Sequence, residues 1–344
     1  MMTVVIGVDP HKASHTAVAI SAGEVELGQK KVRSGVAQVR QLLSWAEPFG
    51  SRCWAIESAS GLGYLLAQQL VSAGETVVDV LATLASRARL LATGRSNKND
   101  GNDALSVAVA ALRAQGLRRV EPAGHVEVLR LLAKRNTDIG NQRTRVVCRL
   151  HALVAELAGG GIAKEINASD VDRFLEATTP VTPAEQVRYD LVFELLDDVR
   201  RLDTQLKLSH ERIRNAVRAS QTSVTELFGV GPIIAGMLIG YSGDITRFAS
   251  RDHYASYNGT APVEFSSAGR VVHRLSQRGN RQLNHAIHMA AISQLRQPHS
   301  DGHAYVQRKL AEGRTKKEAI RSLKRHISNA IYRQLRADAQ RATQ

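Results

Sequence analysis

The order of apolar runs in the first 118 residues constrains the fold of this chain more than any other feature. TVVIGVD (3–9) is a nearly continuous apolar run, as a buried strand requires, and HTAVAIS and the segment around EVELGQKKV follow it closely. This spacing predicts a three-stranded meander. QVRQLLSWAEPF has helical spacing, RCWAIES reads as a second buried strand, and GYLLAQQLVSAG as a helix ended by Gly74. ETVVDVL follows as a third apolar strand and, after a long loop, DALSVAVAALRAQG as a helix ended by Gly116. Three antiparallel strands followed by repeating helix-strand units is the order of an α/β RNase H-like domain, expected over residues 1–118.

The pattern then changes. Leu129, Leu132, Asn136, Ile139, Arg143, Val146, Leu150, Leu153 and Leu157 alternate by three and four, a heptad seam with two polar positions that can fix its register. After a Gly-rich break at 159–161 and a looser stretch, Leu195, Val199, Leu202 and Leu206 repeat the spacing. A coiled-coil helical linker is therefore expected over 119–220; an intramolecular hairpin and a contact with a second subunit both satisfy it. The remainder, 221–344, reads as mostly helical. Its LFGVGPIIAGML predicts a helix-hairpin-helix, with Pro232 in the first turn of the second helix. The turn amides of Gly229, Val230 and Gly231 could hold a backbone phosphate, although such a turn can also be mere punctuation.

Charge points to a polyanion. The net charge is +14, and residues 261–344 carry 16 Lys and Arg against 5 Asp and Glu, so the excess is concentrated in the last quarter. A membrane surface fits less well, because the basic tail lacks a broad aromatic-rich apolar face. No apolar run approaches spanning length and the N-terminus does not resemble a signal peptide, so cytoplasmic residence is expected. Cys53 and Cys148, the only cysteines, lack metal-ligand spacing, and the 12 histidines show no HExxH pattern.

Four carboxylates carry the chemistry. Asp9 ends the first apolar strand and Glu57 the second, and side chains at adjacent parallel strand ends converge. Asp100 and Asp103 share one face of the helix that follows the third strand. An acidic N-cap with a second acid three residues on accounts for these two by themselves. It does not account for Glu57 at a buried strand end. Four acids cannot cluster without a cation, and Mg²⁺ suits hard oxygen ligands; two such ions roughly 4 Å apart would flank a scissile phosphodiester.

GVDPHK, AIES, GRSNKNDGNDA and ASYNGTAPVEFSSAGRVVHRLSQRGNRQLNHAIHMAA together resemble bacterial insertion-sequence transposases and Piv-type DNA invertases, which pair a RuvC-like DEDD domain with a serine-bearing C-terminal domain. The resemblance implies that Asp9, Glu57, Asp100 and Asp103 are the metal ligands and that a serine is the nucleophile. An ungapped match through HRLSQRGNRQLN places Ser267 there, with Ala268 where the family has glycine; Ser266 is the alternative. It further implies a covalent serine-DNA intermediate, donor and target DNA, a structured bridge RNA and a homo-oligomer, dimer or tetramer.

Other residues admit two readings. His11 and Lys12 could touch phosphate or line a solvated turn. Arg274, Arg278 and Arg281, and the helically spaced Lys316, Lys317, Arg321, Lys324 and Arg325, suit a nucleic-acid backbone or plain solvation. The rival classes are a sugar-kinase or chaperone-like ATPase, for which Pro10-His11-Lys12 is a poor phosphate loop, a RuvC-like structure-specific nuclease, and a non-catalytic nucleic-acid-binding protein.

Overall fold

A computed structural model describes residues 4–91, 99–162, 166–267, 270–275 and 279–343. The chain divides into two units, Met1–Ala123 and Gly124–Gln344.

In the first, β1 (Val4–Pro10), β2 (Ser14–Ile20) and β3 (Glu26–Arg33) form the expected meander, each antiparallel to the next. α1 (Gln38–Ala46) leads to β4 (Arg52–Glu57), which runs parallel to β1; α2 (Tyr64–Ser72) leads to β5 (Val77–Val80), parallel to β4. α3 (Ala82–Leu91) and α4 (Asp100–Arg113) follow, and β6 (Arg118–Arg119) adds antiparallel to β5. The strand order β3-β2-β1-β4-β5-β6 is that of an RNase H-like sheet.

Strand alternation explains the two layers. Ile6, Val8, Trp54 and Ile56 bury one face under Leu42, Ala46, Leu66 and Leu70 of α1 and α2. Val5, Ala55 and Val80 bury the other under Ala85 of α3 and Ala104, Val107 and Ala108 of α4. α3 occupies part of the stretch expected as a long loop: ATLASRARLL interleaves arginines with small residues and shows no clear apolar stripe. β6, two residues long, is too short for any period to reveal.

In the second unit α5 (His125–Leu157) packs on α7 (Pro183–Ala219), with α6 (Ala168–Ala177) between them in sequence. Every seam position expected on α5 is buried or half-buried, and Val192, Leu196, Val199, Leu202 and Ile213 bury the matching stripe of α7. Within the chain, α7 covers part of this seam. The polar seam residue Arg143 places Nε 2.5 Å from Asp203 Oδ1 of α7, so its charge is matched within the hairpin. α7 begins with a capping box between Thr182 and Glu185, with Pro183 in its first turn.

α8 (Pro232–Ser242), α9 (Arg251–Tyr257), the hairpin β7 (Pro262–Ser267) and β8 (Arg270–Leu275), α10 (Arg281–Arg296), α11 (Asp301–Ala311) and α12 (Lys316–Thr343) complete the unit. Leu129 and Ala133 of α5 and Ile213 of α7 share one core with Ala235, Leu238, Leu283, Ile287, Leu323 and Ile331. Before the Gly-Val-Gly turn stands a three-residue 3₁₀ turn, Val224–Glu226, in place of the expected helix. Among the described residues no helix is long and apolar enough to cross a membrane.

Candidate metal centre

Asp9 is the last residue but one of β1, and Glu57 is the last of β4. Val8 stands opposite Ile56 in the parallel pair, so the next residues, Asp9 and Glu57, end neighbouring strands at one level. Thr16 of β2 lies opposite Asp9, and Lys31 of β3 opposite Thr16. Cross-strand partners share a face, so Lys31, Thr16, Asp9 and Glu57 make one row across the sheet. Small residues, Gly7 and Ala55, precede the two acids on this face, and α4 lies against them with its first turn over the row.

The N-cap of α4 is Asn99, whose side-chain oxygen accepts the Asn102 N–H at 2.8 Å. The expected acidic cap is thereby corrected. Asp100 opens the helix and Asp103 follows one turn on, with Lys31 Nζ donating to Asp100 Oδ2 at 2.7 Å and Arg89 of α3 donating to Asp103. His11 Nδ1 lies 3.4 Å from Asp9 Oδ2.

Asp9 and Glu57 lie close enough for the charge of each to bear on the other. Burial is the main cause that raises Asp9 above its ordinary 3.8; His11 opposes it, and the negative charges of Asp103 and Asp100 add to it. Burial likewise raises Glu57, with Asp9 and Asp103 adding and Arg89 opposing. Asp100 moves down, chiefly through its hydrogen bond from Lys31. Ligand atoms of Asp9, His11 and Asp100 all lie within 4.8 Å of one another. The donors are mostly hard carboxylate oxygens, and two of the carboxyls resist ionising together until a cation is near. That chemistry fits a small divalent ion.

The turn after Glu57 is held from below. Ser58 adopts φ 51° and donates its N–H to the Val80 carbonyl at 2.9 Å. Asp79 Oδ1 accepts the Ala59 N–H at 2.8 Å, while Oδ2 accepts Ser60 Oγ at 3.1 Å and Arg118 at 2.7 Å. Asp79, Lys31 and Arg89 belong to no motif in the sequence. Only the register of β3 against β2 marks Lys31, and no short spacing marks the other two.

In the second unit Ser266 and Ser267 lie on β7, Ser267 opposite Arg270, and Arg274 lies on β8. Ala268, Gly269 and Arg278 lie outside the described residues. Arg281 is exposed at the start of α10, as are Lys316 and Lys317 at the start of α12. Arg325 pairs with Asp252, whereas Lys324 Nζ donates to Asn284 Oδ1 at 2.7 Å. Burial, with Arg281 and Arg321 adding, pushes Lys324 down to about 8. Asn284 Nδ2 donates to the carbonyl of the fully buried Asn258, whose Nδ2 donates to Ser328 Oγ. At the Gly-Val-Gly turn, Gly229 has φ 82° and the Val230 N–H donates to the Leu227 carbonyl at 2.9 Å. That amide is engaged within the turn itself.

The topology and the acidic edge define a RuvC-like α/β domain with a DEDD set, followed in the chain by a basic, mostly helical unit. The IS110-type DEDD transposase model matches residues 6–158, and a model described as "Transposase IS116/IS110/IS902 family" matches residues 221–307. Both models describe insertion-element transposases, which this chain resembles over these two stretches. An uncharacterized 44.8 kDa protein of insertion element IS116 from Streptomyces clavuligerus is 26% identical over 96% of this chain and 94% of its own length. An uncharacterized 42 kDa protein of IS900 from Mycobacterium paratuberculosis is also 26% identical, over 97% and 96% respectively. Among solved structures, T. thermophilus RuvC in complex with a Holliday junction substrate aligns with 34% of this chain and 99% of its own, at 15% identity and a TM-score of 0.29.

Proposed function

We propose that this protein is a transposase that cleaves and exchanges DNA strands in a Mg²⁺-dependent reaction that proceeds through a serine-DNA intermediate. Asp9, Glu57, Asp100 and Asp103 hold the metal, as two ions. Bound there, it stabilises the charge that builds on the phosphodiester and its leaving oxygen. Ser267 supplies the nucleophile: its Oγ gives up a proton and bonds to phosphorus, and the sugar oxygen that leaves takes up a proton. Arg274, Arg278, Arg281, Lys316, Lys317, Lys324 and Arg325, with the turn at Gly229, Val230 and Gly231, contact nucleic-acid backbone. A structured bridge RNA guides the reaction, and the protein works as a homo-oligomer. Support for these last assignments comes from the family resemblance and from the charge concentrated after residue 261.

One observation carries the reading of the first unit: Asp9 and Glu57 end adjacent strands directly under the first turn that bears Asp100 and Asp103. Asp9→Ala and Glu57→Ala are expected to abolish cleavage of DNA in Mg²⁺ while leaving nucleic-acid binding largely intact. Equal cleavage by wild type and both variants would refute the metal assignment. Cleavage that leaves no protein joined to DNA would favour the structure-specific nuclease.

A further inference from the structure

Lys31 is not accounted for by the chemistry above. Its ammonium lies 2.7 Å from Asp100 Oδ2, and its Cα continues the row that holds Thr16, Asp9 and Glu57. The side chain is 58% exposed and that of Asp100 45%, so solvent screens this ion pair and it contributes little to the stability of the fold. It also sits beside the start of α4, where the helix dipole disfavours a cation unless an anion is present.

The charge balance of the edge shows what happens when Asp100 is taken by another cation. Lys31 and Arg89 offset only part of the charge of Asp9, Glu57, Asp100 and Asp103. With divalent ions at the carboxylates, the acids are neutralised and these two side chains are left uncompensated. Arg89 is largely enclosed between α3 and α4, at 29% exposure, and serves to tie the two helices together. Lys31 faces a polar groove whose lining includes Thr16, Glu26, Gln29, Asp100 and Asn102. Thr16 is 1% exposed, and its hydroxyl has no hydrogen-bond partner in the structure. An exposed cation and an unpartnered hydroxyl beside the reactive edge suit an anion that arrives with the substrate.

We propose that Lys31, with Thr16 beside it, is a phosphate-binding site of the first unit. Lys31 neutralises Asp100 until a divalent ion takes that carboxylate, then turns to a backbone phosphate of the DNA strand lying in the groove. The assignment rests on the metal-dependent reading of the acidic edge, and two measurements on the full chain separate the two. Mn²⁺ binding is measured by titration calorimetry without DNA, and DNA binding in Ca²⁺ by anisotropy of a labelled duplex over a range of salt.

Lys31→Ala is expected to tighten Mn²⁺ binding several-fold, because a competing cation is gone. It should weaken DNA binding in Ca²⁺ about tenfold and lower the salt slope by about one. Lys31→Arg should restore the slope. Tighter Mn²⁺ with unchanged DNA binding and slope would overturn the proposal and leave Lys31 a simple counter-ion. Weaker Mn²⁺ together with a lowered melting temperature would overturn it as well, marking a structural support. If wild type binds no Mn²⁺, the metal reading fails and this assignment with it. If wild type binds Mn²⁺ and Lys31→Ala changes neither measurement, only this assignment fails.

Discussion

Gly7 of β1 lies directly beneath Ala104 of α4: a Cβ on Gly7 would stand 2.2 Å from the Ala104 carbonyl oxygen and 2.4 Å from the Ala108 nitrogen. Both are backbone atoms of a helix and cannot give way singly. Gly7→Ala must therefore push α4 off the sheet and lift Asp100 and Asp103 from the row that ends in Asp9. The expected cost is about 1–3 kcal/mol in thermal or denaturant unfolding, the range for an overpacked core. Mn²⁺ affinity should fall together with cleavage. A variant that melts like wild type and cleaves normally would show that the close approach of α4 is not what assembles the acidic edge.

The raised carboxyls give a pH signature of the metal-free protein. Asp9 and Glu57 both titrate above their ordinary values, mainly because of burial, so the native state holds protons that the unfolded chain releases. The stability this contributes is complete below about pH 4, near the unfolded values, and is lost as pH rises through the folded ones. In EDTA, wild type should therefore lose melting temperature between pH 4 and neutrality more steeply than Asp9→Asn or Glu57→Gln. Divalent ions should reverse the loss in wild type only. Parallel curves for all three proteins would show that the fold does not hold the two acids above their ordinary values.

Those two acids were legible because each ends an apolar run, and a strand end is fixed by pattern. Asp100 and Asp103 were legible as a helix start, but the cap proved to be Asn99, which the eye passes over beside two acids. What the residues could not show is which distant cations meet them. Lys31 and Asp100 are 69 positions apart, and KKV reads as an ordinary solvated edge strand until the register with Thr16 is known. The heptads likewise identified two long helices and could not choose their partner; the pairing of Arg143 with Asp203 shows the hairpin only once both helices are in place. α3 and the buried Asn258 network left no periodic signal, since their contacts are made by small residues and side-chain amides rather than by an apolar stripe.

The serine assignment separates two adjacent residues. Ser267→Ala is expected to lose the covalent protein-DNA adduct, seen as a shifted band after denaturing electrophoresis, while Ser266→Ala retains it. The opposite pattern would move the nucleophile by one residue.

Lys324 provides a test of the basic unit that depends on pH. Its pKa is pushed down to about 8 from an ordinary 10.5, by burial first and then by Arg281 and Arg321. The charged form is therefore disfavoured in the folded chain: the destabilisation is complete below about pH 8 and fades as pH rises toward 10.5, where the unfolded chain also loses its proton. Wild type should gain melting temperature relative to Lys324→Met across that window. His288, whose pKa is lowered mainly by burial, titrates well below it and does not contribute. If the ammonium contacts a DNA phosphate, duplex affinity should fall over the same range as stability rises. Lys324→Arg, which keeps its charge throughout, should hold its affinity there. Opposite trends of stability and affinity in wild type identify a cation kept at the expense of the fold for an anionic partner. An affinity that stays flat from pH 8 to 10 in wild type would instead leave Lys324 as a structural donor to Asn284.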